Sequence, residues 1–233
     1  MSMRSARVAL GTAALAVCAT MLGAGPASAH DDHGSRGDER RSVTLRAHLS
    51  ELNDSGASGR ATVRIKDGQI QRVTVRARGL SPDLPHAQHI HYGQDALNEC
   101  PGLVQDVDGD GRLTTLEGVP AYGPIAVSLT TRGDTSPASG LVVDRFPVSR
   151  DGRLAYHRSD LAFTDVAGAG AGGTVGSAAD VLAAIRAGEG VVVIHGIDYD
   201  GNGTYSFSKE GASDLDPSLP AEATDPAVCG LLR

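Results

Sequence analysis

PHAQHIHYG, residues 85–93, places His86, His89 and His91 within six residues. Side chains of a β-strand alternate between faces, so His89 and His91 share one face while Ile90 enters the other, apolar one. Two imidazoles on one strand face are a ready pair of metal ligands. Imidazole suits copper and zinc, and copper(II) binds most strongly of the divalent first-row ions. This stretch is therefore expected to be a strand with one face in a core and the other carrying chemistry.

The runs around it read as β-structure. Ser42–Leu52 alternates Val43, Leu45, Ala47 and Leu49 against polar residues, the pattern of a half-buried strand. Arg60–Ile65 and Ile70–Ala77 alternate again across Lys66-Asp67-Gly68-Gln69, and Asp-Gly between such runs signals a hairpin. Pro124–Thr130, Leu141–Val148, Arg153–His157 and the apolar Val191–Ile194 read as further strands, the last delivering His195. Ser177–Ala187 is the one convincing helix, with Ser177 as cap, Asp180 in a capping-box position and Gly188 as stop. The glycine-rich run 164–176 lacks the lysine of a phosphate-binding loop. Many short strands with one helix predict an all-β, antiparallel sandwich or barrel with long loops that carry the function.

Arg4 and Arg7, an apolar run from Val8 to Leu22 and the small-residue site Pro26-Ala27-Ser28-Ala29 form a secretory signal peptide over residues 1–29. A charged tail over 30–41, HDDHGSRGDERR, is expected to be disordered, and one domain to fill 42–233. Removal of the leader would take the formal charge from −7 to −9, because it carries two arginines and no acid. That balance argues against nucleic acid or an anionic membrane as partner and leaves divalent cations open. No second apolar run is long enough to span a bilayer. The remaining cysteines, Cys100 and Cys229, form an even pair in an exported chain, for which a disulfide is the default.

His86-x-x-His89-x-His91 after Gly79-Leu80, Cys100 nine residues beyond His91, Val-Val-Ile-His ending at His195, and a closing Val228-Cys229-Gly230-Leu231 resemble the copper–zinc superoxide dismutases. The chain looks closest to their secreted actinobacterial branch bearing the CHRD domain name, over roughly residues 41–233. The resemblance implies an eight-stranded Greek-key sandwich. It implies copper ligands at His89, His91 and His195, a backbone-bonding structural role for His86, and the Cys100–Cys229 disulfide. The chain also departs from the family. No histidine lies between Cys100 and Gly152, so no zinc site is evident, and Pro226 stands where the family has its substrate-guiding arginine. His157 is the remaining candidate for a fourth ligand.

Asp106-Val107-Asp108-Gly109-Asp110-Gly111-Arg112-Leu113-Thr114-Thr115-Leu116-Glu117 matches the calcium-loop pattern D-x-[DN]-x-[DN]-G-x5-E. Asp106, Asp108 and Asp110 would give side-chain oxygens, Arg112 its carbonyl, Thr114 a hydroxyl or water, and Glu117 both carboxylate oxygens. Pro101 and Pro120 flank the loop, so one structural ion is expected and not a calcium sensor. A partial copy follows His195, with Asp198, Asp200 and Asn202 in ligand places but Lys209 at the twelfth position. The leading expectation is a secreted metal-binding protein with copper at three histidines and a calcium loop. The alternatives are a copper-only superoxide dismutase and a metal-free extracellular binding module.

Overall fold

The computed structural model describes residues 42–161 and 176–233. The expected signal peptide, the charged tail and nearly all of the glycine-rich run lie outside the described residues. The eight strands are β1 (Val43–Glu51), β2 (Ser58–Lys66), β3 (Gln69–Arg78), β4 (Gln88–His91), β5 (Ile125–Ser128), β6 (Arg153–Leu161), β7 (Val191–His195) and β8 (Pro226–Leu231). They form one curled sheet of order β5-β4-β7-β8-β1-β2-β3-β6, and every pairing is antiparallel. The chain is therefore all-β in character.

The β2–β3 hairpin turns on Asp67 and Gly68, both at positive φ (51° and 67°), with Lys66 opposite Gln69. Such a turn suits the right-handed twist of the strands it joins. β1 and β8 join the two halves of the sheet at Ser50–Cys229 and Glu51–Val228, and beyond them Arg46 and Arg233 exchange main-chain hydrogen bonds. The main core draws on both halves: Leu45, Val63, Val73 and Val75 pack in one cluster with Ile90, Val192, Ile194 and Val228.

Three helices accompany the strands among the described residues: α1 (Thr115–Tyr122), α2 (Ala178–Ala187) and α3 (Ala221–Thr224). Only α2 was legible from periodicity. Its cap is reciprocal: Ser177 Oγ accepts the Asp180 N–H, the Asp180 carboxylate accepts the Ser177 N–H, and Gly188 ends the helix in the left-handed region. α1 forms despite Pro120 because Thr114 and Glu117 cap each other's backbone at its start.

Leu141–Val148 is not a strand. Val143–Arg145 makes a single 3-10 turn, and Leu141, Val142 and Val148 are partly exposed. The apolar run misled because the segment crosses the surface, held by main-chain bonds from the Thr131 N–H to Arg145 O and from the His86 N–H to Pro147 O.

Cys100 and Cys229 form a disulfide that fastens the β4–β5 connection to β8. Among the described residues, no helix is long and apolar enough to cross a membrane.

Candidate metal centres

Strand parity separates two faces. His89 pairs with Val193 and His91 with Val191, so these four share a face, while Ile90 and Val192 turn to the main core. Behind the histidines Val191 and Val193 pack with Val119, Tyr122 and Cys229 in a second, smaller cluster. The ladder shifts register between Ile90 and His91 and again between Ile194 and His195. Such irregularities re-aim side chains. At the second shift Pro226, which has no N–H to give, lies opposite His195.

His89, His91 and His195 converge, with ring centroids 5.4, 5.2 and 5.9 Å apart for the pairs 89–91, 89–195 and 91–195. Each ring donates one N–H to a main-chain carbonyl: His89 Nε2 to Gly140 O (3.1 Å), His91 Nδ1 to Gly123 O (2.8 Å) and His195 Nδ1 to Thr224 O (2.6 Å). That choice sets each tautomer. The other nitrogens, His89 Nδ1, His91 Nε2 and His195 Nε2, are buried without a hydrogen-bond partner. One potential ligand atom from each ring lies within 4.8 Å of the others. Imidazole–metal bonds of about 2.0–2.1 Å put donors up to about 4 Å apart, so little inward movement brings three lone pairs onto one ion.

The setting holds the rings neutral. Burial pushes His89 well below the ordinary 6.5, helped by the neighbouring His195 and His91, and burial drives His91 down to about 3 and His195 to about 4. Phe146 stands edge-on to His89, and Ile125, Leu141, Val143 and Leu215 wall the pocket. A Cβ at Gly140 would meet Ile125 Cδ1 at 2.5 Å, so a larger residue there would push the Ile125 side chain aside.

A pH dependence follows. Between the unfolded value of 6.5 and the folded values of about 4 and 3, the unfolded chain binds more protons than the folded one. Stability from these rings is thus complete above pH 6.5 and is lost as pH falls through that window. His195 alone would contribute about 3 kcal/mol. Urea midpoints of metal-free protein should fall steadily between pH 7 and 4.5. A flat profile would contradict the burial of neutral rings.

His86 lies 0 % exposed, with Nδ1 2.9 Å from His195 O and Nε2 3.0 Å from Ser81 O. It bonds main chain and braces the end of β7. His157 is a correction. It sits on the exposed face of β6, at the far edge of the sheet from β4, with Nδ1 3.4 Å from Thr74 Oγ1. The alternation of β6 buries Leu154 and Tyr156 and so sends His157 outward.

The loop 106–117 is closed by its own side chains. Asp106 accepts the N–H groups of Gly109 and Gly111, Asp108 that of Asp110, Asp110 that of Arg112, and Glu117 those of Val107 and Thr114. Ligand oxygens of Asp106, Asp108 and Glu117 lie within 4.8 Å of one another, while Asp110 is not in that group. The Arg112 side chain bridges the loop to the body, pairing with Asp110 at 3.5 Å and with buried Asp225 at 2.7 Å.

At the second loop, Asp198 and Asp200 meet Glu222, a residue that nothing in the sequence marked. Its run, Pro220-Ala221-Glu222-Ala223-Thr224, shows no motif, and only the missing twelfth-position acid hinted that a ligand had to come from elsewhere.

In comparisons with known proteins, no family model matches this chain and no curated protein matches it.

Proposed function

We propose that this is an exported copper-binding protein with a Greek-key β-sandwich of superoxide dismutase-like, CHRD-type fold. The observation that carries it is the three buried, partnerless imidazole nitrogens, each on a ring oriented by a backbone carbonyl. Backbone carbonyls here play the outer-shell part that orients metal-ligating histidines generally. Three neutral nitrogen donors without carboxylate or thiolate suit copper, which imidazole holds most strongly in the first-row series. Copper at this place would supply one-electron redox chemistry. The chain's own residues hold the rings neutral, fix their tautomers and exclude water through the walls of Ile125, Leu141, Val143 and Leu215.

The sandwich reading is supported by strand order. β6 returns beside β3 and β7 beside β4, the long returns of a Greek key, and both halves of the sheet feed one core. The disulfide fits the oxidising space that secretion implies. The rings are only 1–3 % exposed, which favours holding a metal over fast turnover of an outside substrate. Titration of protein lacking residues 30–41 should saturate at one copper per chain. Failure to bind would leave a metal-free extracellular module.

Calcium at Asp106, Asp108, the Arg112 carbonyl, Thr114 and Glu117 completes the reading, with Asp110 turning in as the ion binds. Extracellular modules bind calcium at about 0.1–1 mM. A hundredfold excess over such a constant stabilises by about 2.7 kcal/mol per site. Asp108→Ala should remove this loop's increment from the calcium-induced rise in Tm. An undiminished rise would place the ion elsewhere.

A further inference from the structure

Residues 198–206 repeat the calcium loop at 106–117 almost bond for bond. At the first position Asp198 accepts the N–H of Gly203, as Asp106 accepts that of Gly111. At the third, Asp200 accepts the Asn202 N–H at 3.1 Å, as Asp108 accepts that of Asp110 at 3.1 Å. At the fifth, Asn202 Oδ1 accepts the Thr204 N–H at 2.8 Å, as Asp110 accepts that of Arg112 at 2.8 Å. The glycines at the fourth and sixth positions have positive φ in both loops: Gly109 and Gly111 at 74° and 86°, Gly201 and Gly203 at 68° and 82°.

The loops part at the twelfth position, where Glu117 corresponds to Lys209. Lys209 turns away and pairs with Glu210 at 3.3 Å. Glu222 stands in its place. In the first loop the twelfth-position carboxylate accepts the N–H of the ninth residue, Thr114 to Glu117 Oε2 at 2.9 Å. In the second, the ninth residue Ser206 gives its N–H to Glu222 Oε2 at 2.8 Å. Glu222 is 0 % exposed, and its other oxygen, Oε1, has no hydrogen-bond partner. Ligand oxygens of Asp198, Asp200 and Glu222 lie within 4.8 Å of one another, and no lysine or arginine pairs with them among the described residues. Clustered carboxylates repel unless a cation joins them, and a buried carboxylate oxygen without a partner is costly.

We propose that Asp198, Asp200, Asn202, the Thr204 carbonyl, Ser206 and Glu222 form a second calcium site, in which Glu222 of α3 supplies the twelfth-position carboxylate from a distant part of the chain. An all-oxygen set of this number suits a hard divalent cation in a flexible loop. The ion would bind α3 to the segment leaving β7, already joined where the Ile197 N–H meets Glu222 O at 2.8 Å. The same helix carries Thr224, whose carbonyl orients His195. The site thus anchors the strut of one copper-ligand candidate.

The test is calcium stoichiometry by equilibrium dialysis on the full chain and on Glu222→Gln, Asp200→Ala and Glu117→Gln. Glutamine keeps an acceptor for the Ser206 N–H and loses only the charge. Exposed Asp200 gives a second variant should the buried one misfold. The wild type should bind two ions. Glu222→Gln and Asp200→Ala should each lose one or weaken it at least about tenfold, and Glu117→Gln should lose the other. Terbium luminescence sensitised by Tyr199 and Tyr205, both within this loop, should fall in Glu222→Gln and persist in Glu117→Gln. One ion lost only in Glu117→Gln would overturn the proposal and leave the first loop standing. One ion lost only in Glu222→Gln and Asp200→Ala would support it and refute the first loop. No calcium in the wild type would overturn both.

Discussion

Replacing His195 with alanine is expected to lower copper affinity by at least about a hundredfold. Loss of an outer-shell partner alone typically costs 10–100-fold, and this substitution removes a donor itself. The three rings act as a unit. Two lone pairs that remain, His89 Nδ1 and His91 Nε2, come from one strand and cannot surround an ion. His89→Ala and His91→Ala should weaken copper similarly. His157→Ala is the control, because that ring is exposed on β6 and makes its contact with Thr74; its copper affinity should match the wild type. Competition titrations against a chelator of known affinity would read all four. Equal affinity in His195→Ala and the wild type would place the metal elsewhere.

Loss of the disulfide is expected to be the largest single blow to stability. Cys100 and Cys229 are 129 residues apart in sequence, and the chain-entropy model gives a bridge of that span about 5 kcal/mol. That is comparable to the whole stability of many domains, about 5–15 kcal/mol. The bridge also anchors the β4–β5 connection, which carries the candidate calcium loop, α1 and Gly123, the residue whose carbonyl orients His91. A Cys100→Ala, Cys229→Ala double variant should therefore unfold at markedly lower urea, and its copper affinity should fall as well. Denatured, unreduced wild type should titrate with no free thiol from these two residues. An unchanged urea midpoint in the double variant would contradict this account.

The parts of the fold legible beforehand are those written in local alternation. β1, the Asp67-Gly68 hairpin and α2 each carry their own pattern and cap, so their boundaries were readable to within a few residues. Leu141–Val148 failed for the opposite reason: it is apolar, yet its ladder contact is a single bridge from Val148 to Pro85, and its middle turns as a short 3-10 segment. α1 and α3 are short, and α1 contains Pro120; both depend on tertiary partners, such as the Thr115 hydroxyl bonded to Thr224 O at 2.6 Å. In the candidate copper site, His89 and His91 follow from strand parity, whereas the placing of His195 rested on a resemblance. Its meeting with them needs β7 to lie against β4 and a register shift at its last residue. The orienting carbonyls of Gly123, Gly140 and Thr224 had no signal, since any residue supplies a carbonyl. Glu222 was hidden for the same kind of reason: its role depends on where α3 sits and not on its neighbours in sequence.

A crystal structure of the copper-loaded protein, with anomalous maps across the copper edge, would show whether His89 Nδ1, His91 Nε2 and His195 Nε2 together hold one copper ion. A single strong peak about 2 Å from those three nitrogens, with the carbonyl contacts of Gly140, Gly123 and Thr224 retained, is the predicted result. A peak at the chain terminus or on the carboxylate loops, with no copper signal between the three rings, would contradict it.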